Sequence, residues 1–165
     1  EIGLDFHYDP SPRDVQREVF RRQIRLAGEV GLPIVVHTRE ADAETADILG
    51  QEGASEVGGV IHCFTGGLDL ARRALDLGFL ISFSGIVAFP RAEVIQQVAR
   101  EVPADRLLVE TDAPFLAPPP HRGKRNEPAF VVDVARKVAA LRGTTPEALF
   151  ALARDNYARL FRRVV

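Results

Sequence analysis

PIVVHTR, residues 33–39, is apolar at consecutive positions, rich in β-branched residues, and ends in polar ones. GGVIHCF (58–64), FLISFSGIVAF (79–89, interrupted by Gly85) and RLLVETD (106–112) share that form. An exposed sheet face demands alternation of apolar and polar residues. Runs that do not alternate are predicted to be strands covered on both sides, as in parallel sheets wrapped by helices. The segments between them have helical spacing and stops. PSPRDVQREVFRRQIRLAGEVG (10–31) predicts a helix with Ser11 as N-cap and Pro12 at the first helical position. Val15, Val19, Phe20, Ile24 and Ala27 form its apolar face. EADAETADILGQEG (40–53), LDLARRALDLG (68–78) and RAEVIQQVAREV (91–102) follow, and PAFVVDVARKVAALRG (128–143) and TPEALFALARDNYARLF (145–161) close the chain. Strand and helix in alternation predict βαβ units, hence an α/β fold. Such units build either an open doubly wound sheet or a (β/α) barrel, and the lack of a glycine-rich phosphate loop after any strand weakens the dinucleotide-binding reading. No linker or repeat divides residues 1–165, which read as a single domain.

Composition bounds the function. Hydrophobic residues make up 46% and charged residues 27%, the profile of a globular chain, and the formal net charge is -2. Such a chain does not coat nucleic acid non-specifically, though a local basic pocket remains compatible with it. One cysteine allows no internal disulfide, which favours a reducing, cytoplasmic location. No apolar run reaches membrane-spanning length.

The polar residues fall where catalysis is usually built, at the carboxyl ends of strands. His37 closes the first run, His62 lies in the second, and the fourth ends in Glu110 and Asp112. Glu1 precedes the first helix and so takes the corresponding place. Two imidazoles and carboxylates on one rim are a metal-ligand composition compatible with Zn, Mn or Mg. Any one of these histidines alone reads equally as a polar group near a core. It is the repetition on consecutive strands that favours metal. Strand alternation turns Cys63 away from His62, so Cys63 reads as a small buried hydrophobe. Glu110 shares parity with Asp112 and is either a partner that orients an imidazole or a structural ion-pair carboxylate. Arg39, two residues past His37, and Arg122, Lys124 and Arg125 of the loop HRGKRNEP are candidate phosphate contacts. A solvated loop with Asn126 as a helix N-cap is the competing reading. Asp5 and His7 also lie on the rim, without an assigned role.

Taken in order, EIGLDFHYD, PIVVHTRE, GVIHCFTG, ISFSGIVAF, LLVETDAPFLAP, RGKRNEP and the closing NYARLF resemble the TatD family of metal-dependent deoxyribonucleases, amidohydrolase-type TIM barrels. The resemblance implies a two-metal phosphodiesterase acting on DNA, most naturally on ends or single strands. It implies that Glu1 bridges two divalent ions (Mg, Mn or Zn), that His37 and His62 bind one, and that Asp112 binds the other and takes a proton from the attacking water. It also implies a His-x-His strand ahead of Glu1, which this sequence does not contain. A barrel of this type typically has about 250 residues. The expectation is therefore a partial barrel lacking its first strands. Two alternatives remain: hydrolysis of another amide, ester or phosphoester bond, and a non-catalytic fragment. The first often uses a bridging carbamylated lysine, and no lysine ends a strand here.

Overall fold

The structure is a computed structural model and describes residues 1–162. The chain forms two compact units, Glu1–Ile81 and the segment from Ser82 onward. In the first, β1 (Ile2–Asp5), α1 (Arg13–Val30), β2 (Ile34–Arg39), α2 (Asp42–Gln51), β3 (Gly59–Ile61) and α3 (Leu68–Asp76) alternate, and β4 (Leu80–Phe83) begins. The pairs β1–β2, β2–β3 and β3–β4 are all parallel. Leu4, Val36 and Ile61 on the strands and Phe20, Ile24, Leu49 and Leu70 on the helices are buried. Each such side chain contributes about 1.5–3 kcal/mol by leaving water.

The covering of the strands is uneven. β3 and β4 are buried at every position, as the non-alternating runs predict. In β2 buried Ile34, Val36 and Thr38 alternate with half-buried Val35, His37 and Arg39. One face of β2 is therefore accessible, and His37 lies on it.

Four local expectations are corrected. Glu1 does not end a strand. It stands just before β1, which runs four residues on to Asp5 because Ile2 to Asp5 pair in register with Val36 to Arg39. Ser11 does not cap α1 through its side chain. The helix starts at Arg13, and Gln16 holds the entry by donating from Nε2 to Ser11 O at 2.8 Å and to Asp5 O at 3.1 Å. That polar residue occupies the buried face together with Phe20, Ile24 and Ala27, while Val15 and Val19 are exposed. The third apolar run stops as a strand at Phe83, and Gly85–Ala88 forms a 3-10 turn.

The second unit carries the end of β4, α4 (Glu93–Glu101), β5 (Leu107–Val109), α5 (Val131–Arg142) and α6 (Pro146–Leu160). The Glu110 amide donates to Phe83 O at 3.0 Å. Thr145 caps α6 by accepting from the Ala148 amide at 3.2 Å, and Pro146 takes the first helical position. Arg142 donates to Ala99 O and Val102 O, both at 2.8 Å, satisfying carbonyls at the end of α4. Buried Asn156 of the NYARLF segment donates to Ala104 O and Leu107 O at 2.9 Å, tying α6 to the start of β5.

Candidate metal centre

Register brings the first set of residues together. Paired residues of parallel strands point to the same face, so Gly3 and His37 share one, as do Asp5 and Arg39. Alternation adds Glu1 to that face. His62 follows β3, with its amide donating to Val36 O at 2.9 Å. The result is a cluster in which Glu1 Oε1 lies 3.4 Å from His37 Nδ1 and 3.4 Å from His62 Nε2. The two imidazole centroids are 6.4 Å apart. One ligand atom from each of Glu1, His37 and His62 falls within 4.8 Å of the others, a spacing that suits a metal ion.

Gly3 makes this approach possible. Its φ is +140°, and a Cβ placed there would lie 1.9 Å from His37 O. With any other residue β1 would be forced away from β2. The imidazole of His37 then sits between two carboxylates, Glu1 at Nδ1 and Asp5 at Nε2, the latter at 3.1 Å. A histidine that presents one nitrogen to a cluster while its other nitrogen meets a carboxylate is the arrangement that metal-ligating histidines use to set tautomer and orientation. The donor set and this second partner both fit a divalent ion.

Asp5 is the residue that sequence reasoning left without a role. Its Oδ1 accepts from the amides of His7 at 3.0 Å and Tyr8 at 2.8 Å. Burial pushes its carboxyl up, but the Tyr8 amide, the His37 ring and the His7 amide outweigh this and hold it below the ordinary carboxylate value. The available signal was its parity with Glu1, four residues earlier in the sequence.

Other rim residues are fixed by local contacts. The Arg39 guanidinium lies 4.6 Å from the centroid of the Tyr8 ring. Cys63 has φ +43° and lies two residues past the end of β3, so strand alternation does not determine where it points; it is half-buried. In the second unit, Glu110 and Asp112 both lie beyond β5, and Asp112 has φ +59°. Strand parity does not extend to them, yet a carboxylate oxygen of each lies within 4.8 Å of the other, the common direction expected from the sequence. Arg122 covers the Phe89 ring with Cζ 3.7 Å from its centroid, and Lys124 and Arg125 are exposed. Asn126 is a buried clamp rather than a helix cap. Its Nδ2 donates to Thr111 O at 2.7 Å and to Phe115 O, and its Oδ1 accepts from the Glu127 amide at 2.9 Å. It thereby fixes the segment that carries Asp112. His121 stacks on Phe130 with centroids 3.7 Å apart and meets Asp133 at 3.2 Å.

Parallel strands whose rim carries Glu1, His37 and His62 in ligand spacing define an α/β protein with a candidate metal centre. Residues 1–162 match the TatD related DNase family, and the chain belongs to it. It is 51% identical over 162 residues to an uncharacterized metal-dependent hydrolase of Bacillus subtilis (strain 168), YabD, covering 98% of this chain and 64% of YabD. It is 39% identical over 166 residues to the 3′-5′ ssDNA/RNA exonuclease TatD of Rahnella sp. (strain Y9602), covering 98% of this chain and 63% of that protein. The crystal structure of YjjV, a TatD homolog from Escherichia coli K12, superposes with a TM-score of 0.90 at 31% identity, covering 98% of this chain and 62% of YjjV. The chain thus has the α/β fold of TIM-barrel type expected from its sequence and spans 61–64% of the length of the curated relatives YabD and YcfH.

Proposed function

We propose that the protein is a metal-dependent phosphodiesterase that releases nucleotides from the ends of single-stranded DNA. The observation that carries this reading is the placement of Glu1 Oε1 3.4 Å from each of two imidazoles, with Asp5 held against the far nitrogen of His37. Membership of a DNase family, and the exonuclease named among the relatives, support the choice of nucleic acid as substrate.

In this reading Glu1, His37 and His62 would hold one divalent ion, and Asp112 would be a ligand to another. Mg, Mn and Zn all suit carboxylate and imidazole donors. When bound, such ions lower the pKa of water and offset the charge of the phosphate. Asp5 keeps His37 in the tautomer that leaves Nδ1 as acceptor. Asp112 takes the proton of the attacking water, and its place past β5 is held by the Asn126 clamp. Glu110 orients groups around Asp112. Arg39, Arg122, Lys124 and Arg125 meet flanking phosphates, each offering donors that match phosphate oxygens. Among the described residues no helix is long and apolar enough to cross a membrane; the single cysteine, which allows no internal disulfide, is the ground on which we place the protein in the reducing cytoplasm.

The test is incubation of the full-length protein with labelled single-stranded DNA, before and after EDTA, with Mg, Mn or Zn restored separately. Metal-dependent release of nucleotides is expected. Active hydrolysis of an amide or ester substrate with none of DNA would overturn the reading.

A further inference from the structure

Beyond the metal ligands, the turn after β1 carries an exposed aromatic ring that is held unusually firmly. Tyr8 is 68% exposed. Its amide donates to Asp5 Oδ1 at 2.8 Å, and the other oxygen of that carboxylate meets His37. The His7 ring stands edge-on to it at 4.8 Å, and His7 Nδ1 is itself 2.6 Å from Glu40 Oε1. The Arg39 guanidinium lies against the ring at 4.6 Å. With 68% of the residue exposed, much of the Tyr8 side chain stays open to solvent beside the guanidinium.

We propose that the Tyr8 ring is a stacking platform for one nucleobase of a single-stranded substrate, with Arg39 placed to meet the adjoining phosphate. The proposal rests on the nuclease reading above. Its physical basis is threefold. Aromatic rings bind bases through their π-faces without regard to sequence, which suits an enzyme that removes successive nucleotides. A guanidinium held over a ring can keep N–H donors available to an anionic oxygen beside the stacked base. A ring already immobilised by its backbone and two neighbours loses little freedom when a base docks. Because one carboxylate, Asp5, holds both the Tyr8 turn and the His37 imidazole, the platform stands at a fixed offset from the candidate metal centre. That offset would register the strand one nucleotide at a time.

The experiment measures steady-state hydrolysis of a single-stranded oligothymidylate by the full-length protein in manganese, for wild type, Tyr8→Ala and Tyr8→Phe. Loss of one stacked base predicts that Tyr8→Ala raises KM about tenfold. Bound metal should stay constant, and Tyr8→Phe should restore KM. An oligonucleotide with abasic sites at its cleaved end should raise the wild-type KM by a similar factor and remove the difference between wild type and Tyr8→Ala. Equal KM for abasic and normal strands with the wild-type protein overturns the platform without any variant. An unchanged KM in Tyr8→Ala does the same, and both outcomes leave the nuclease reading standing. A metal-loaded wild type that hydrolyses neither DNA nor RNA overturns both.

Discussion

Asp5 Oδ2 lies 3.1 Å from His37 Nε2, on the side of the ring opposite Glu1. This contact leaves Nδ1 as the nitrogen that faces Glu1, the arrangement expected of a histidine oriented for metal binding. Asp5→Asn keeps the size of the side chain and can still accept the His7 and Tyr8 amides, but removes the charge facing the imidazole. The expected result is a roughly 10- to 100-fold loss of metal affinity, the usual cost of losing such a partner. The thermal midpoint without metal should change little. Metal titration by calorimetry checks this, and an unaltered affinity would show that Asp5 serves only the turn.

Gly3→Ala tests the close approach of β1 to β2. The added methyl would lie 1.9 Å from His37 O, a distance that backbone cannot accept without moving. Two strands paired over Ile2 to Asp5 would separate at their centre. Strained backbone and lost pairing together should destabilise by about 3 kcal/mol or more. Urea unfolding should show a lower midpoint, and the surviving folded protein should bind metal weakly because His37 has shifted. A wild-type midpoint would mean that the strands can part without cost.

Much of this was legible in the sequence, and the gaps have physical causes. Apolar runs, helix stops and the order of polar strand ends were enough for the α/β reading and for Glu1, His37 and His62 as neighbours. Alternation failed at Cys63, whose sulfur lies within 4.8 Å of a ring nitrogen of His62, because it sits past β3 with positive φ, where the period of two no longer applies. The Asn126 clamp, for which a helix N-cap was only the competing reading, was not legible because a side chain that bonds carbonyls at Thr111 and Phe115 acts across a loop of more than ten residues. No local pattern encodes that. Val15 and Val19 were misassigned because Gln16 enters the buried face to hold the end of β1, and a hydrophobicity pattern discounts a polar residue there.

The packing of α1 against α2 should carry a pH signature. Arg25 and Arg21 meet Glu52 at 2.6 and 2.7 Å, and only 10% of the Glu52 side chain is exposed. Hydrogen bonds from Arg25 and then Arg21 hold its carboxyl below the ordinary value of 4.5. A carboxyl whose folded pKa is depressed binds fewer protons than in the unfolded chain, so its contribution is full above 4.5 and lost as pH falls through the lower folded value. Glu44, paired with Arg17 and likewise depressed, adds in the same direction. Thermal midpoints should therefore fall on acidification below about pH 4.5. Glu52→Gln should lower the midpoint at pH 7 and reduce that fall. The same slope in variant and wild type would assign the acid sensitivity to other carboxylates.

Asp112→Asn is the variant that isolates charge from backbone. Asp112 sits at φ +59°, a conformation that Asn adopts about as readily as Asp, whereas Ala adopts it only at a cost of roughly 1–2 kcal/mol. Alanine would therefore confuse a distorted loop with a lost carboxylate. Asparagine keeps the loop held by Asn126 and removes the carboxylate proposed both to take the proton and to hold an ion, so bound metal is measured alongside turnover. General-base loss predicts a fall in kcat of about 10²- to 10⁴-fold, with an unchanged circular dichroism spectrum and little change in the thermal midpoint. Raising the pH should not recover the activity, since an amide has no basic form to restore. Turnover within a few-fold of wild type would show that another group accepts the proton, and Asp112 would then be a ligand or a loop residue alone.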